Sequence, residues 1–248
     1  MTAETKNCQN CRKSFTIEPE DFQFYEKIKV PPPTFCPNCR FQRRLSFINY
    51  TNLYKRKCDL CKKESFSIYH PASPYVVYCP KCWWSDDWNP LAYARDYDFS
   101  RPFFEQLNEL WHSAPLLGLS VDSETITTSP FTNHLGHSRN SYLIFYGDSD
   151  EECAYGFSVD RCRSVLDCTA ISQSELSYDC MHSYRVNRCI GSRDQLAFAI
   201  DCMFCRDCEN VQNCFGCANL YNKKYHIFNK PYSKEAYFEE LKKYDLGS

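Results

Sequence analysis

The sequence predicts a mainly β protein: two small zinc ribbons followed by a helix-capped parallel β-solenoid of short, cysteine-rich repeats. Two observations carry this reading. First, four Cys-x-x-Cys pairs stand in order in the front third of the chain, at Cys8/Cys11, Cys36/Cys39, Cys58/Cys61 and Cys79/Cys82. Second, from Cys153 small or apolar residues recur at every sixth position: Val159, Val165, Ile171, Ser177, Ser183 and Cys189. After one inserted residue the series resumes with Leu196, Cys202, Cys208, Cys214 and Leu220, and a parallel series three places on runs from Gly156 to Cys217. A short period held over such a length marks stacked coils. A helix is a poor alternative, because Asp, Asn, Ser, Cys and β-branched residues are mediocre helix formers.

Composition limits the function classes. The 248 residues carry a formal net charge of −2, unevenly placed. Residues 1–64 hold 13 basic against 7 acidic residues, and the remainder is acidic. Such asymmetry predicts different partners for the two ends. The eighteen cysteines fit a reduced metalloprotein better than a disulfide framework. The opening residues lack the apolar core of a signal peptide, and no apolar run is long enough to span a membrane. The expected compartment is the cytoplasm, with no membrane partner.

Each ribbon reads as two knuckles placing four thiolates around one tetrahedral Zn²⁺: Cys8, Cys11, Cys36 and Cys39, then Cys58, Cys61, Cys79 and Cys82. Two structural zinc ions follow. A four-cysteine site leaves no open position for water or substrate, so these metals serve folding rather than catalysis. In the first ribbon a short helix is expected after Pro19. In the second, 65–69 and 75–78 read as the strands of a hairpin turning at 70–74. Between the ribbons, Arg40, Phe41, Arg43, Arg44, Lys55, Arg56 and Lys57 interleave cations with aromatic rings. That mixture suits nucleic acid, where cations meet phosphates and rings stack on bases. A solvated basic face is the plainer reading. Trp83, Trp84 and Trp88 are expected to seat the second ribbon against the rest of the chain.

Ser100 reads as the cap of a helix from Arg101 to about His112, whose stripe of Phe103, Phe104, Leu107, Leu110 and Trp111 suits a plug over the first coil. Segment 118–139 lacks periodicity and reads as a loop or irregular first coil. In the solenoid, Cys and Ser fill a thin interior while Asp and Asn take left-handed corners. Cys202, Cys205 and Cys208 have a spacing used by iron–sulfur proteins, yet they fall on the inward series and read as core. A last strand at 225–228 and a helix from Ser233 to about Tyr244 read as the terminal cap. The implied domains are 1–57, 58–99, 100–139, 140–230 and 231–248. No His-Glu-x-x-His, phosphate-binding loop or nucleophile elbow occurs, and only His134 and His137 of the six histidines lie close together.

The stretches Lys29–Pro33, Cys36–Arg40, Leu53–Cys61, Asp96–Phe104 and Asn213–Cys217 through Tyr225–Lys230 resemble cysteine-rich zinc-ribbon proteins of uncultivated candidate-phyla bacteria and large viruses. The resemblance covers nearly the whole chain. It implies zinc, a cytoplasmic setting and, since members often continue into more cysteine-bearing coils, a short member or a fragment. Some members carry a CaiB/BaiF (CoA-transferase) label, but no stretch here resembles a coenzyme A site or its aspartyl nucleophile. The first ribbon also resembles a general "probable zinc-ribbon" module ending in Pro…Cys-x-x-Cys-Arg.

The expected function is a non-enzymatic, zinc-stabilised binding protein contacting nucleic acid through the basic-aromatic surface, with the solenoid as rigid scaffold. One rival is a protein-interaction adaptor using the solenoid, including an acidic mimic of nucleic-acid charge. The other is an enzyme using solenoid Cys or Asp.

Overall fold

The computed structural model describes residues 2–244. The chain divides into two compact units, one ending at Asn49 and the other beginning at Tyr50.

The first unit is a ribbon. Strands Glu4–Asn7 and Ser14–Ile17 pair antiparallel, with the knuckle Cys8–Cys11 as their turn. Helix α1 (Pro19–Lys27) opens on a proline, where a missing amide costs nothing. Helix α2 (Pro37–Leu45) follows the second knuckle, with Cys36 as its N-cap residue.

The second unit begins with the same device. Strands Tyr54–Lys57 and Glu64–Ser67 pair antiparallel around the knuckle Cys58–Cys61. Helix α3 (Pro80–Trp83) starts after Cys79, again with proline in its first turn. The expected hairpin of 65–69 with 75–78 does not form. Glu64–Ser67 pairs backwards with Tyr54–Lys57, while Val77–Tyr78 pairs parallel with Leu116–Leu117 and so ties the ribbon to the chain that enters the solenoid. Helix α4 (Phe103–Ser113) starts after Pro102, not on Ser100, whose hydroxyl instead donates to Asp98. It lies beside the ribbon loop, with His112 stacked on Tyr75 at 4.9 Å. None of its side chains is fully buried, and Ile126, beyond it in the chain, packs against the solenoid core.

The solenoid makes about 8 turns between residues 133 and 227. Its strands pair in parallel at a constant offset of twelve residues, as in Leu135↔Gly147, Gly147↔Val159, Val159↔Ile171 and Ile171↔Ser183. The inserted residue raises the offset to thirteen through one coil, from Ser183↔Leu196 to Arg193↔Arg206. Already before Asn133, isolated bridges Val121↔Leu135 and Thr127↔Arg139 place 121–127 against the first coil.

Backbone φ is positive at every third residue from Thr128 to Asp194 and again from Phe198 to Phe228, with the longer step at the insertion. A twelve-residue coil thus has four corners. Each triplet runs inward residue, outward residue, left-handed corner, so four inward columns line the axis. Asp167, Asp179, Asp201, Asp207 and Asn213 all sit at corners, directly before inward cysteines. Tyr155, Leu176, Arg185 and Phe204 adopt the same φ, which costs a residue with a Cβ about 1–2 kcal/mol. Glycine at two corners has a different cause. A Cβ on Gly191 would meet the ring of Phe204 at 2.6 Å, and one on Gly216 the ring of Phe228 at 2.8 Å.

Inward Ser and Cys do more than fill volume. Their hydroxyl or thiol donates to the carbonyl two residues back, as Ser174 does to Ser172 at 2.7 Å and Cys180 to Tyr178 at 3.4 Å. Many also accept the amide of the inward residue one coil on: Cys153 to Ser141 at 3.3 Å, Val186 to Ser174 at 3.1 Å, Cys180 to Cys168 at 3.3 Å. These amides lie inside the coil, and an unpaired one would be costly.

Helix α5 (Lys234–Leu241) is capped by Ser233, whose hydroxyl accepts the Ala236 amide at 3.2 Å. Tyr237, Leu241 and Tyr244 pack on Met203, Phe215 and Ile227, outward residues of three successive coils. The helix therefore covers a flank of the last coils. Residues 245–248 of the expected cap lie outside the described residues.

Candidate metal centres and basic surface

Each ribbon brings together the four cysteines its spacing predicts. Within each group, Cys8, Cys11, Cys36 and Cys39 or Cys58, Cys61, Cys79 and Cys82, the sulfurs lie within 4.8 Å of one another and can hold a metal ion. The two centres are built alike. Cys8 N–H donates to Lys13 O and Arg12 N–H to Cys8 O, at 2.9 and 3.0 Å; Cys58, Lys63 and Lys62 repeat both bonds at 2.9 Å. Arg12 and Lys62 take the same left-handed φ, 65° and 63°. The amide of the third cysteine donates to the first sulfur, Cys36 to Cys8 at 3.2 Å and Cys79 to Cys58 at 3.3 Å.

These bonds tune the thiols. Burial opposes ionisation of Cys8, but amides from Cys36, Cys11 and Asn10 outweigh it and bring the group down to about 6. Cys58 has the same opposition and the same remedy, from Cys79, Cys61 and Leu60, and falls to about 7. Burial pushes Cys79 and Cys82 up. Amide donors favour the thiolate, the form that binds metal.

The seven basic and aromatic positions do not share one environment. On α2, Phe41, Arg43 and Arg44 are exposed. The Arg43 guanidinium lies 5.4 Å from the Phe35 ring centre and that of Arg44 5.9 Å from Phe41. Phe47, just past the helix, is 77% exposed. Arg40 is half-buried and donates to the Tyr25 hydroxyl. In the second unit, strand alternation leaves Lys55 and Lys57 exposed and turns Arg56 inward. The Arg56 side chain is 8% exposed; it donates to Asp59 at 3.0 Å, to the Tyr75 carbonyl at 3.3 Å and to the Ser73 hydroxyl at 3.4 Å. It stitches the ribbon loop to its knuckle. A strand of alternating Tyr-Lys-Arg-Lys carries that signal, and the run of cations hides it.

The tryptophans divide. Trp83 and Trp88 pack at 4.9 Å, with the Trp88 indole donating to the Trp83 carbonyl, while Trp84 is 72% exposed. Trp84, Lys81, Asp122, Glu124 and His134 border an open cleft of about 1000 Å³. His134 and His137 do not converge. His134 is edge-on to Tyr50 and burial lowers its pKa, whereas His137 pairs with Asp148 at 2.9 Å, which raises it. Among the described residues, the solenoid cysteines form no third metal group, and no helix is long and apolar enough to cross a membrane.

No family model matches the chain, and no curated protein matches it.

Proposed function

We propose that this protein is a non-enzymatic nucleic-acid-binding protein whose two ribbons are held by structural Zn²⁺, acting in a reducing compartment such as the cytoplasm, with the solenoid as a rigid scaffold. The donor set supports zinc. Four thiolates about 2.3 Å from a tetrahedral ion stand about 3.8 Å apart, and Cys11 and Cys36 sulfurs are 3.7 Å apart. All four positions would be filled by protein, which suits a structural ion.

The observation that carries the nucleic-acid reading is the exposed face of α2, where Arg43, Arg44, Phe41 and Phe47 combine cations with open rings on a helix anchored by a metal knuckle. Guanidinium groups neutralise phosphates and aromatic rings stack on bases. Lys55 and Lys57 add two exposed cations on the second unit. Arg40 and Arg56 have internal partners and hold the fold.

The test is affinity for a fluorescent single-stranded oligonucleotide across a salt series. A variant with Gln at Arg43, Arg44, Lys55 and Lys57 is expected to bind more weakly, its log–log slope reduced by about three at 0.7–0.9 per lost phosphate contact. An unchanged slope, or no binding by the wild type at low salt, rules the reading out.

A further inference from the structure

We infer that the protein associates with a second copy of itself, α4 of one copy lying along the uncovered apolar flank of the other's solenoid. One outward column of the coils is apolar along its length. The inter-coil register links Tyr142 to Ala154, Ala154 to Leu166, and Leu166 to Tyr178, Ile190 and Met203 in turn. The last members of the column, Met203, Phe215 and Ile227, lie under α5. The chain thus shows what this flank takes: a helix presenting Tyr237 and Leu241 four residues apart, followed by Tyr244 just past its end. Beyond α5 the column is open, with Leu166 41%, Tyr178 48% and Ile190 39% exposed.

The same unit also carries a helix in need of a surface. Leu107 and Leu110 of α4 are half-buried, but Phe103, Phe104 and Trp111 stand 54%, 79% and 51% exposed. Phe104 and Trp111 are seven residues apart, two helical turns or about 10.5 Å. Coils repeat at about 4.8 Å, so residues two coils apart, such as Leu166 and Ile190, are separated by about 9.6 Å. The two rings therefore match the ends of the open stretch, with Tyr178 between them. Since both surfaces stand exposed in one chain, α4 does not cover its own flank. A two-fold pairing makes the contact twice, towards the roughly 800 Å² per partner of a stable interface.

Sedimentation equilibrium of the full, zinc-loaded chain tests this, with Phe104→Glu and Tyr178→Glu, and circular dichroism and metal content confirming that both variants fold. The wild type is expected to be a dimer, with each substitution, which alters both symmetric contacts, raising the dissociation constant at least about thirty-fold, the loss expected from even one central anchor. Mixing the two variants is expected to restore association, because one intact helix then meets one intact flank. A monomeric wild type, a dimer indifferent to both substitutions, or a mixture that stays monomeric overturns the inference. None of these results bears on nucleic-acid binding, which uses other residues.

Discussion

Ser174 holds two backbone groups at once, donating to the Ser172 carbonyl and accepting the Val186 amide of the next coil. Ser174→Ala removes both partners inside the buried interior of the coil, where Ser174 is 4% exposed. It is expected to cost about 1–3 kcal/mol in chemical unfolding. Ser174→Cys is expected to cost much less, because Cys168 fills the same double role. Equal losses for Ala and Cys would show that volume, not the hydrogen bond, sets the requirement. Asp150 occupies the same inward column as Ser174. It is 1% exposed; one carboxylate oxygen accepts the Cys162 amide at 3.0 Å and the other has no partner. Burial raises its pKa to about 8, against the Cys162 amide and with help from Asp160 and Asp148. An unfolded Asp titrates near 3.9, so between that value and about 8 the native state holds more protons than the unfolded one. This contribution is complete below the lower value and is lost as pH rises through the window, by up to about 1.4 kcal/mol per unit. Asp150→Asn is expected to flatten the decline between about pH 5 and 8 and to be the more stable protein at the upper end. Identical pH profiles for the two proteins would exclude a neutral Asp150.

At the scale of elements, what the sequence reveals depends on whether an element's cause is local. Each metal knuckle is local: two cysteines, a tight turn and, in the second of each pair, a proline opening a helix. All eight cysteines of the two groups are therefore readable from spacing. Pairing is not local. Glu64–Ser67 pairs with Tyr54–Lys57, whose three cations disguise it as a basic patch. The two six-residue series, three places apart, are one three-residue rhythm, as the positive φ at every third residue shows. Corners occupied by Asp and Asn are recognisable, whereas Tyr, Phe, Leu and Arg at equivalent corners look like any other residue. Their strain is offset by the coils above and below, a cause no local window contains. Helix α5 was likewise readable as a cap, but the flank it covers follows from a register of twelve that spacing alone left open.

At the scale of the molecule, two sources of order meet in one chain. The solenoid core runs from Leu135 to Cys217 as one continuous cluster, each coil templated by its neighbours. The ribbon clusters are small. The first is Cys8, Cys36 and Cys39 with Phe15 and Phe35, and the second centres on Cys58, Tyr78 and Cys82. Clusters of that size supply little folding free energy, so the proposed zinc must supply most of it. Removing metal with a strong chelator under reducing conditions is therefore expected to dissect the protein rather than unfold it. Hydrogen exchange should show amides of Glu4–Asn7, Ser14–Ile17, Tyr54–Lys57 and Glu64–Ser67 losing protection while strands from Ala154 to Phe215 keep theirs. Metal content before chelation should be two ions per chain, falling to one in Cys58→Ser. Protection lost throughout the solenoid would mean that the second ribbon, through Val77–Tyr78 paired with Leu116–Leu117, nucleates the coils that follow it.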